Sequence, residues 1–256
     1  MADYSAGELT PVKDQVSAEE WQARVDLAAL YRLVALYGWD DMVDTHISAR
    51  VPGPEHHFLI NPYSMFFEEI TASSLVKIDL DGNIVSQTPY KVNPAGFTIH
   101  SAVHANVPGA NFVMHLHTDQ GVAVSSQKEG LLPLGQHSLI VRPNLAYHDY
   151  EGIALNHDER ERLIADMGKK PMMMLRNHGT LATGRTAAQC WNNMFFLERA
   201  CKQQVMALSG GRENVLIAPE AAQTVVAEQI RMPNPARSFW PACLRKLDRE
   251  LPGYAE

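Results

Sequence analysis

The sequence predicts an α/β fold in one domain with a helical tail. Three observations carry the prediction: capped helical patterns opening at Ser17 and Thr186, short alternating or wholly apolar runs between them, and no composition break across 256 residues. With 46% hydrophobic and 20% charged residues, the chain can bury a sizeable core.

Taken in order, residues 1–16 read as a flexible N-terminal arm. Ser17-Ala-Glu-Glu20 is a capping box, a hydroxyl and a carboxylate placed to satisfy the free N–H groups of a helix start. The helix it opens runs through Leu27, Leu30, Tyr31, Val34 and Leu36 and stops at Gly38. From Asp44 to Ser86 the pattern changes to HISARV, a polar PGPEHH turn, FLINP, then VKIDL and NIVSQ, which Asp81-Gly82 joins as a hairpin. DLDGN touches the start of a calcium loop, but the remaining ligand positions of such a loop are missing. A helix over about Thr98 to Asn106 ends at Pro108-Gly109 and leads into the apolar strand NFVMHLHT.

Asn156, Glu159 and Gly168 frame the next helix, and PMMMLRNHG follows as an apolar strand closing on a turn. Thr186 with Gln189 then opens a long helix to Leu208 that carries Cys190 and Cys201, too far apart along it to bond each other. Two further helical patterns, after Pro219 and from Trp240 to Glu250, flank the Pro-rich MPNPARS. The organisation is therefore a 17–210 domain and a 211–256 helical tail. The amphipathic run from Phe239 to Leu247 suits packing on the domain or on a neighbouring subunit.

Lys+Arg number 22 against 29 Asp+Glu, a net charge of -7, so no general positive field exists to hold nucleic acid or an anionic membrane surface. No apolar run approaches a membrane span, and the polar, acidic start lacks the pattern of a secretion signal. With only three cysteines, the reading is a reduced, cytoplasmic protein. The unusual count is 11 histidines.

His115 and His117 lie two apart on a strand, so both rings face one side and can reach one ion; a hydrogen-bonded pair of strand histidines is the alternative. His178 ends the other apolar strand, with Gly179 permitting close backbone approach. Three neutral imidazoles would leave a coordination position open for substrate, although a loop histidine facing solvent would read the same way. His100 and His104 are four apart on one helix face, and His46 follows Thr45 at a strand start, positions compatible with a pocket. His56, His57, His148 and His157 read as surface residues, and His137 has no assignment.

NPAGFTIHSAVHANVPGANFVMHLHT, with RNHGTLATG about sixty residues later, resembles the class II aldolase/adducin family over roughly residues 20 to 210. The resemblance implies a three-layer αβα fold around a largely antiparallel central sheet, assembled as a homotetramer. It also implies that His115, His117 and His178 bind a divalent metal ion, zinc first, with Fe2+ or Mn2+ as substitutes. The family's sugar-phosphate aldolases keep a Ser-Ser-Glu element whose Glu is both metal ligand and acid/base. Nineteen positions before His115 this chain has Gly96 instead, and Thr45-His46 replaces the Gly-Asn turn of the phosphate cradle, as in the adducin branch.

Three functions follow from the resemblance. The first is a metal-dependent lyase acting on a small, unphosphorylated oxo or hydroxy acid or other carbonyl substrate. His100 or His46 would then replace the missing Glu, and Gly96, Thr45 and His104 would line the substrate pocket. The second is a three-His Fe(II) oxygenase acting on an aromatic acid. The third is a noncatalytic, adducin-like interaction domain. The expected partners are a small-molecule substrate and other copies of the chain, with no nucleic acid and no membrane.

Overall fold

A computed structural model describes residues 11–152, 159–230 and 239–256. The helix cap expected at Asn156, His157 and the whole MPNPARS run lie outside the described residues. In chain order the elements are α1 (Val12–Gln15), α2 (Ala18–Leu36), β1 (His46–Arg50), β2 (Phe58–Ile60), β3 (Val76–Ile78), α3 (Pro94–Asn106), β4 (Phe112–Leu116), α4 (Asp119–Ser125), α5 (Gln136–Val141), β5 (Leu145–His148), α6 (Glu159–Met167), β6 (Met172–Leu175), β7 (Gly179–Gly184), α7 (Ala187–Leu208), α8 (Glu220–Gln229) and α9 (Trp240–Glu250).

The strands form a seven-stranded sheet in the order β3-β2-β1-β4-β7-β6-β5. Every neighbouring pair is antiparallel except β5 with β6, so the sheet is largely antiparallel as expected. Helices cover both faces. Leu27, Leu30, Trp191, Met194 and Leu197 of α2 and α7 pack on Ile47, Met114, Met172, Met174 and Ala182. On the other face, Ile99 and Val103 of α3 and Leu163 and Met167 of α6 pack on Val113, Met173, Leu175 and Leu181. Met172 to Leu175 alternate between the two cores, which is why this strand reads as an unbroken apolar run.

The caps act as their residue types dictate. Ser17 accepts from the Glu20 backbone N–H and Thr186 accepts from that of Gln189, each relieving an unpaired donor in the first turn. Pro94 starts α3 four residues before the expected Thr98, since a helix's first position needs no N–H donor. The Asp81-Gly82 turn forms, but its second arm makes a single bridge, Ile78 to Ile84, rather than the strand expected from NIVSQ. Val12–Gln15, expected as part of a loose arm, forms a short helix.

The end of the chain docks on its own domain: Leu247 is fully buried, the Ala72 N–H donates to the Tyr254 carbonyl at 3.0 Å, and the Ser73 N–H to that of Glu256 at 2.8 Å. Among the described residues, no helix is long and apolar enough to cross a membrane.

At Gly179 the start of β7 lies tight against the end of β4. A Cβ there would stand 2.3 Å from the Leu116 carbonyl oxygen and 3.2 Å from the His117 ring, so only glycine lets the two strands approach. Replacing Gly179 with Ala should cost about 1–3 kcal/mol by forcing the backbones apart. The urea midpoint should fall with little change in slope; an unchanged midpoint would show that the strands tolerate the separation.

Candidate metal centre

The centre forms where β4, the β6–β7 turn and the loop before β1 meet. His115 is buried near the end of β4, His117 lies one residue beyond it, and His178 occupies the turn between β6 and β7. That turn holds Asn177 at φ 54°, a left-handed conformation that asparagine tolerates better than most residues. One nitrogen from each histidine lies within 4.8 Å of those of the other two. Ring centroids are 4.7 Å apart for His115–His117, 4.7 Å for His115–His178 and 4.9 Å for His117–His178.

Hydrogen bonds behind the rings assign their tautomers. Nδ1 of His115 lies 3.0 Å from the Thr180 carbonyl oxygen, which only accepts, so Nδ1 carries the proton. Nδ1 of His117 lies 3.1 Å from Oδ2 of Asp41, and the same logic protonates it there. Both Nε2 atoms are therefore bare lone pairs, yet they stand only 2.9 Å apart. Two lone pairs at that distance repel unless a cation lies between or beside them. The donor set thus fits a metal: neutral imidazoles aimed at one point, two of them oriented by a carbonyl and a carboxylate. Burial, with neighbouring imidazoles, holds His115 well below the ordinary histidine range and lowers His178 to about 4, so both rings are neutral as ligands must be.

A second group adjoins the first. His46 pairs with His115 in the β1–β4 register and so faces the same side of the sheet. It is buried, its ring lies 6.1 Å from that of His100, and burial lowers it to about 4. Ser48, two residues along the same strand face, has its hydroxyl 2.6 Å from Nδ1 of His100 and 2.7 Å from Nε2 of His104. Nδ1 of His104 lies 2.8 Å from the Ala110 carbonyl oxygen and must donate to it, which leaves Nε2 of His104 to accept from Ser48. The Ser48 oxygen in turn accepts from Nδ1–H of His100. The chain of donors ends at Nε2 of His100, a bare acceptor, fully buried and without a partner among the described residues.

Nε2 of His46 and Oγ1 of Thr45 are likewise buried and unpartnered. Orphaned polar atoms are rare in folded interiors because each costs roughly 1–3 kcal/mol. Three of them beside a convergent histidine group mark a place for a polar ligand. His104 differs from its expected place on the pocket wall: both its nitrogens are engaged within the protein and its ring stacks on Phe58 at 4.5 Å, one step behind His100. Gly96 falls in the first turn of α3, and its surroundings lie outside the described residues.

Sequence reasoning passed over Asp41, Ser48 and Thr180. Ser48 was within reach, since strand alternation puts it on the face of His46. Asp41 stands in a run with Asp40 and Asp44, and nothing in its spacing separates it from them. His148, expected at the surface, is buried with Nδ1 2.7 Å from Oδ2 of Asp166, because β5 is covered by α6.

Thr45 has φ 67°, a left-handed conformation that a β-branched side chain adopts only under strain. Thr45→Gly should remove that strain and the orphaned hydroxyl together, raising stability by about 1 kcal/mol after the entropy cost of glycine. A lower thermal midpoint in the variant would show that the hydroxyl is satisfied and the turn relaxed.

The profile of the Class II Aldolase and Adducin N-terminal domain matches residues 25–205. A Caulobacter vibrioides protein named provisionally as an aldolase class 2 protein is 73% identical over the full length of both chains. Mouse alpha-adducin is 40% identical over 84% of this chain, which spans 31% of that protein. Among solved structures, an aldolase II superfamily protein from Pseudomonas syringae is 47% identical, with a TM-score of 0.92 over 96% of this chain and 100% of that one. L-fuculose 1-phosphate aldolase from Glaciozyma antarctica, at 23% identity and a TM-score of 0.78 over 96% of each chain, shares the fold. From the seven-stranded αβα architecture, the histidine spacing and these matches together, the chain belongs to the class II aldolase and adducin family.

Proposed function

We propose that this chain is a metal-dependent lyase that breaks a carbon–carbon bond in a small oxo or hydroxy acid, or another carbonyl compound, by aldol-type cleavage or decarboxylation. The observation that carries the reading is the bare, buried Nε2 of His100, oriented by Ser48 and His104 beside three convergent imidazoles. His115, His117 and His178 would hold a divalent ion, zinc before Fe2+ or Mn2+. When bound, the ion supplies Lewis-acid polarisation of a carbonyl or developing enolate oxygen.

The remaining chemistry belongs to the chain. Burial keeps His100 neutral, so Nε2 is an acceptor throughout the neutral pH range. In aldol cleavage Nε2 takes the proton of the substrate hydroxyl, the carbon–carbon bond breaks to an aldehyde and an enolate, and the same proton returns to the enolate carbon. Ser48 and His104 hold the ring in the tautomer that does this. His46 and Thr45 offer hydrogen bonds to the substrate's oxygens. Among the described residues the one basic side chain bonded to this group, Arg50, is spent on the His104 carbonyl, and none reaches the orphaned atoms, which supports a substrate without phosphate.

The 40% identity to alpha-adducin favours a second reading, a noncatalytic interaction domain that keeps the histidines for structure. We place the protein in the cytoplasm, its cysteines free among the described residues, and as a homo-oligomer, a tetramer first.

Elemental analysis of protein purified without chelator should find close to one zinc per chain. Turnover is then sought with a panel of hydroxy and oxo acids, read as released aldehyde or CO2. His115→Ala should lose both metal and turnover, whereas His100→Gln should keep the metal and lose about 10²–10⁴-fold in kcat. Unimpaired turnover in His115→Ala would sink the lyase. Iron-dependent oxygen uptake would replace it with an oxygenase, and bound metal without turnover on any substrate favours the adducin-like domain.

A further inference from the structure

Behind the histidines, on the opposite face of the sheet, lies a carboxylate that the proposed chemistry does not use. Glu198 of α7 is 2% exposed. Among the described residues no arginine, lysine or histidine pairs with it, and its two oxygens are each held by a threonine hydroxyl. Thr118 donates to Oε2, and Thr180 donates to Oε1 at 2.5 Å. Burial raises its pKa to about 7, against the lowering by those two hydrogen bonds.

The two threonines belong to the two limbs of the centre. Thr118 directly follows His117, and its oxygen also caps α4 by accepting from the Gly121 N–H at 2.9 Å. Thr180 is two residues beyond His178, and its backbone carbonyl is the acceptor that fixes His115. Its side chain points through the sheet to α7 while its carbonyl serves the histidine side. Gly121 closes the space: a Cβ there would lie 2.8 Å from Oγ1 of Thr118, 3.0 Å from Cγ2 of Thr180 and 3.1 Å from Oε1 of Glu198. A buried acid without a cation is a poor device for stability alone, since an apolar residue of similar volume fills such a space as well or better. Its cost is repaid where it fixes geometry.

We infer that Glu198 is a positioning residue for the metal centre, a clamp that ties the end of β4 to the start of β7 through Thr118 and Thr180 and so sets the spacing of His115, His117 and His178. The inference rests on the metal-binding reading and is independent of the reaction catalysed. Support at this distance from a metal ion is commonly worth about 10–100-fold in affinity.

Glutamine at position 198 can keep both links. Its amide oxygen accepts from Thr118, and its NH2 donates to Thr180, whose own hydroxyl turns to the Leu116 carbonyl 3.5 Å away. Leucine fills the space and makes neither link.

The test measures Zn2+ affinity by competition with a chromophoric chelator, and the visible absorption spectrum of the Co2+-loaded protein, in wild type, Glu198→Gln, Glu198→Leu and Thr180→Val. Glu198→Gln should stay within about threefold of wild type, while Glu198→Leu and Thr180→Val should weaken Zn2+ by about 10–100-fold and alter the Co2+ spectrum. Thr180→Val keeps the carbonyl that holds His115 and decides the matter if Glu198→Leu does not fold. Wild-type affinity and spectrum in the folded Leu or Val variant would overturn the clamp, as would equal losses in Gln and Leu, which would assign the effect to charge. A wild-type chain that takes up no Zn2+ overturns the metal reading itself, seen before any variant is compared.

Discussion

The register of β1 against β4 and of β4 against β7 is the constraint on which the centre depends. His46 sits opposite His115 and Ser48 opposite Val113, so these side chains emerge toward α3, while Thr180, opposite Leu116, sends its side chain toward α7. Side chains alternate along a strand, so a slip of one residue would send every one of them to the other face. The register is pinned from the α2 side. The Tyr31 hydroxyl accepts from the Ile47 N–H at 2.8 Å, lies 2.9 Å from Oδ1 of Asn61, and contacts the Ile47 carbonyl, joining α2 to β1 and to the end of β2. A slip would also break that buried network, whose members would then be left unpaired.

With register set, the histidines' properties follow from burial. An ordinary imidazole near neutral pH is partly protonated and free to choose its tautomer. For His104 and His115 desolvation removes the first freedom, and fixed acceptors at Ala110 and Thr180 remove the second; Asp41 fixes the tautomer of His117. What remains is a set of rings whose bare nitrogens are assigned by their surroundings. The polar cost is concentrated in a few atoms, Oγ1 of Thr45 and Nε2 of His46 and His100, and a strained backbone at Thr45 adds to it. Orphaned atoms, strain and convergent ligands at one place are a pattern expected of a binding site and not of a core optimised for stability.

Much of this was legible in the residues. The H-x-H pair on an apolar strand, and a histidine followed by glycine at the end of another, obey local rules of alternation and turn chemistry, and their meeting required only that β7, which follows that histidine, pair with both strands. Elements written weakly in local pattern were missed. Helices α4 and α5 are seven and six residues long, too short to display a periodic face. NIVSQ alternates like a strand, yet among the described residues it makes a single bridge at Ile84, with the Val85 N–H bonded to the Lys77 carbonyl. Asp41 and Glu198 were invisible for a different reason: each acquires meaning from a partner 76 or 80 positions away, His117 or Thr118, and an acid's own neighbourhood does not say what it will face.

Those two carboxylates also bear on the absence of one at Gly96. A glutamate in the coordination sphere would offset part of a divalent ion's charge, whereas three neutral imidazoles leave it whole. An undiminished dication acidifies a nearby hydroxyl more strongly, and a more acidic hydroxyl needs a weaker base. The base proposed here is weak: His100 is buried, and its pKa is lowered by desolvation and by neighbouring imidazoles. On the proposed reading, the glycine at position 96 and the buried histidine base would be two halves of one adjustment. Asp41 bonds His117 and Glu198 bonds Thr118 and Thr180, so with an ion bound both would hold geometry from outside the coordination sphere without diluting the charge within it.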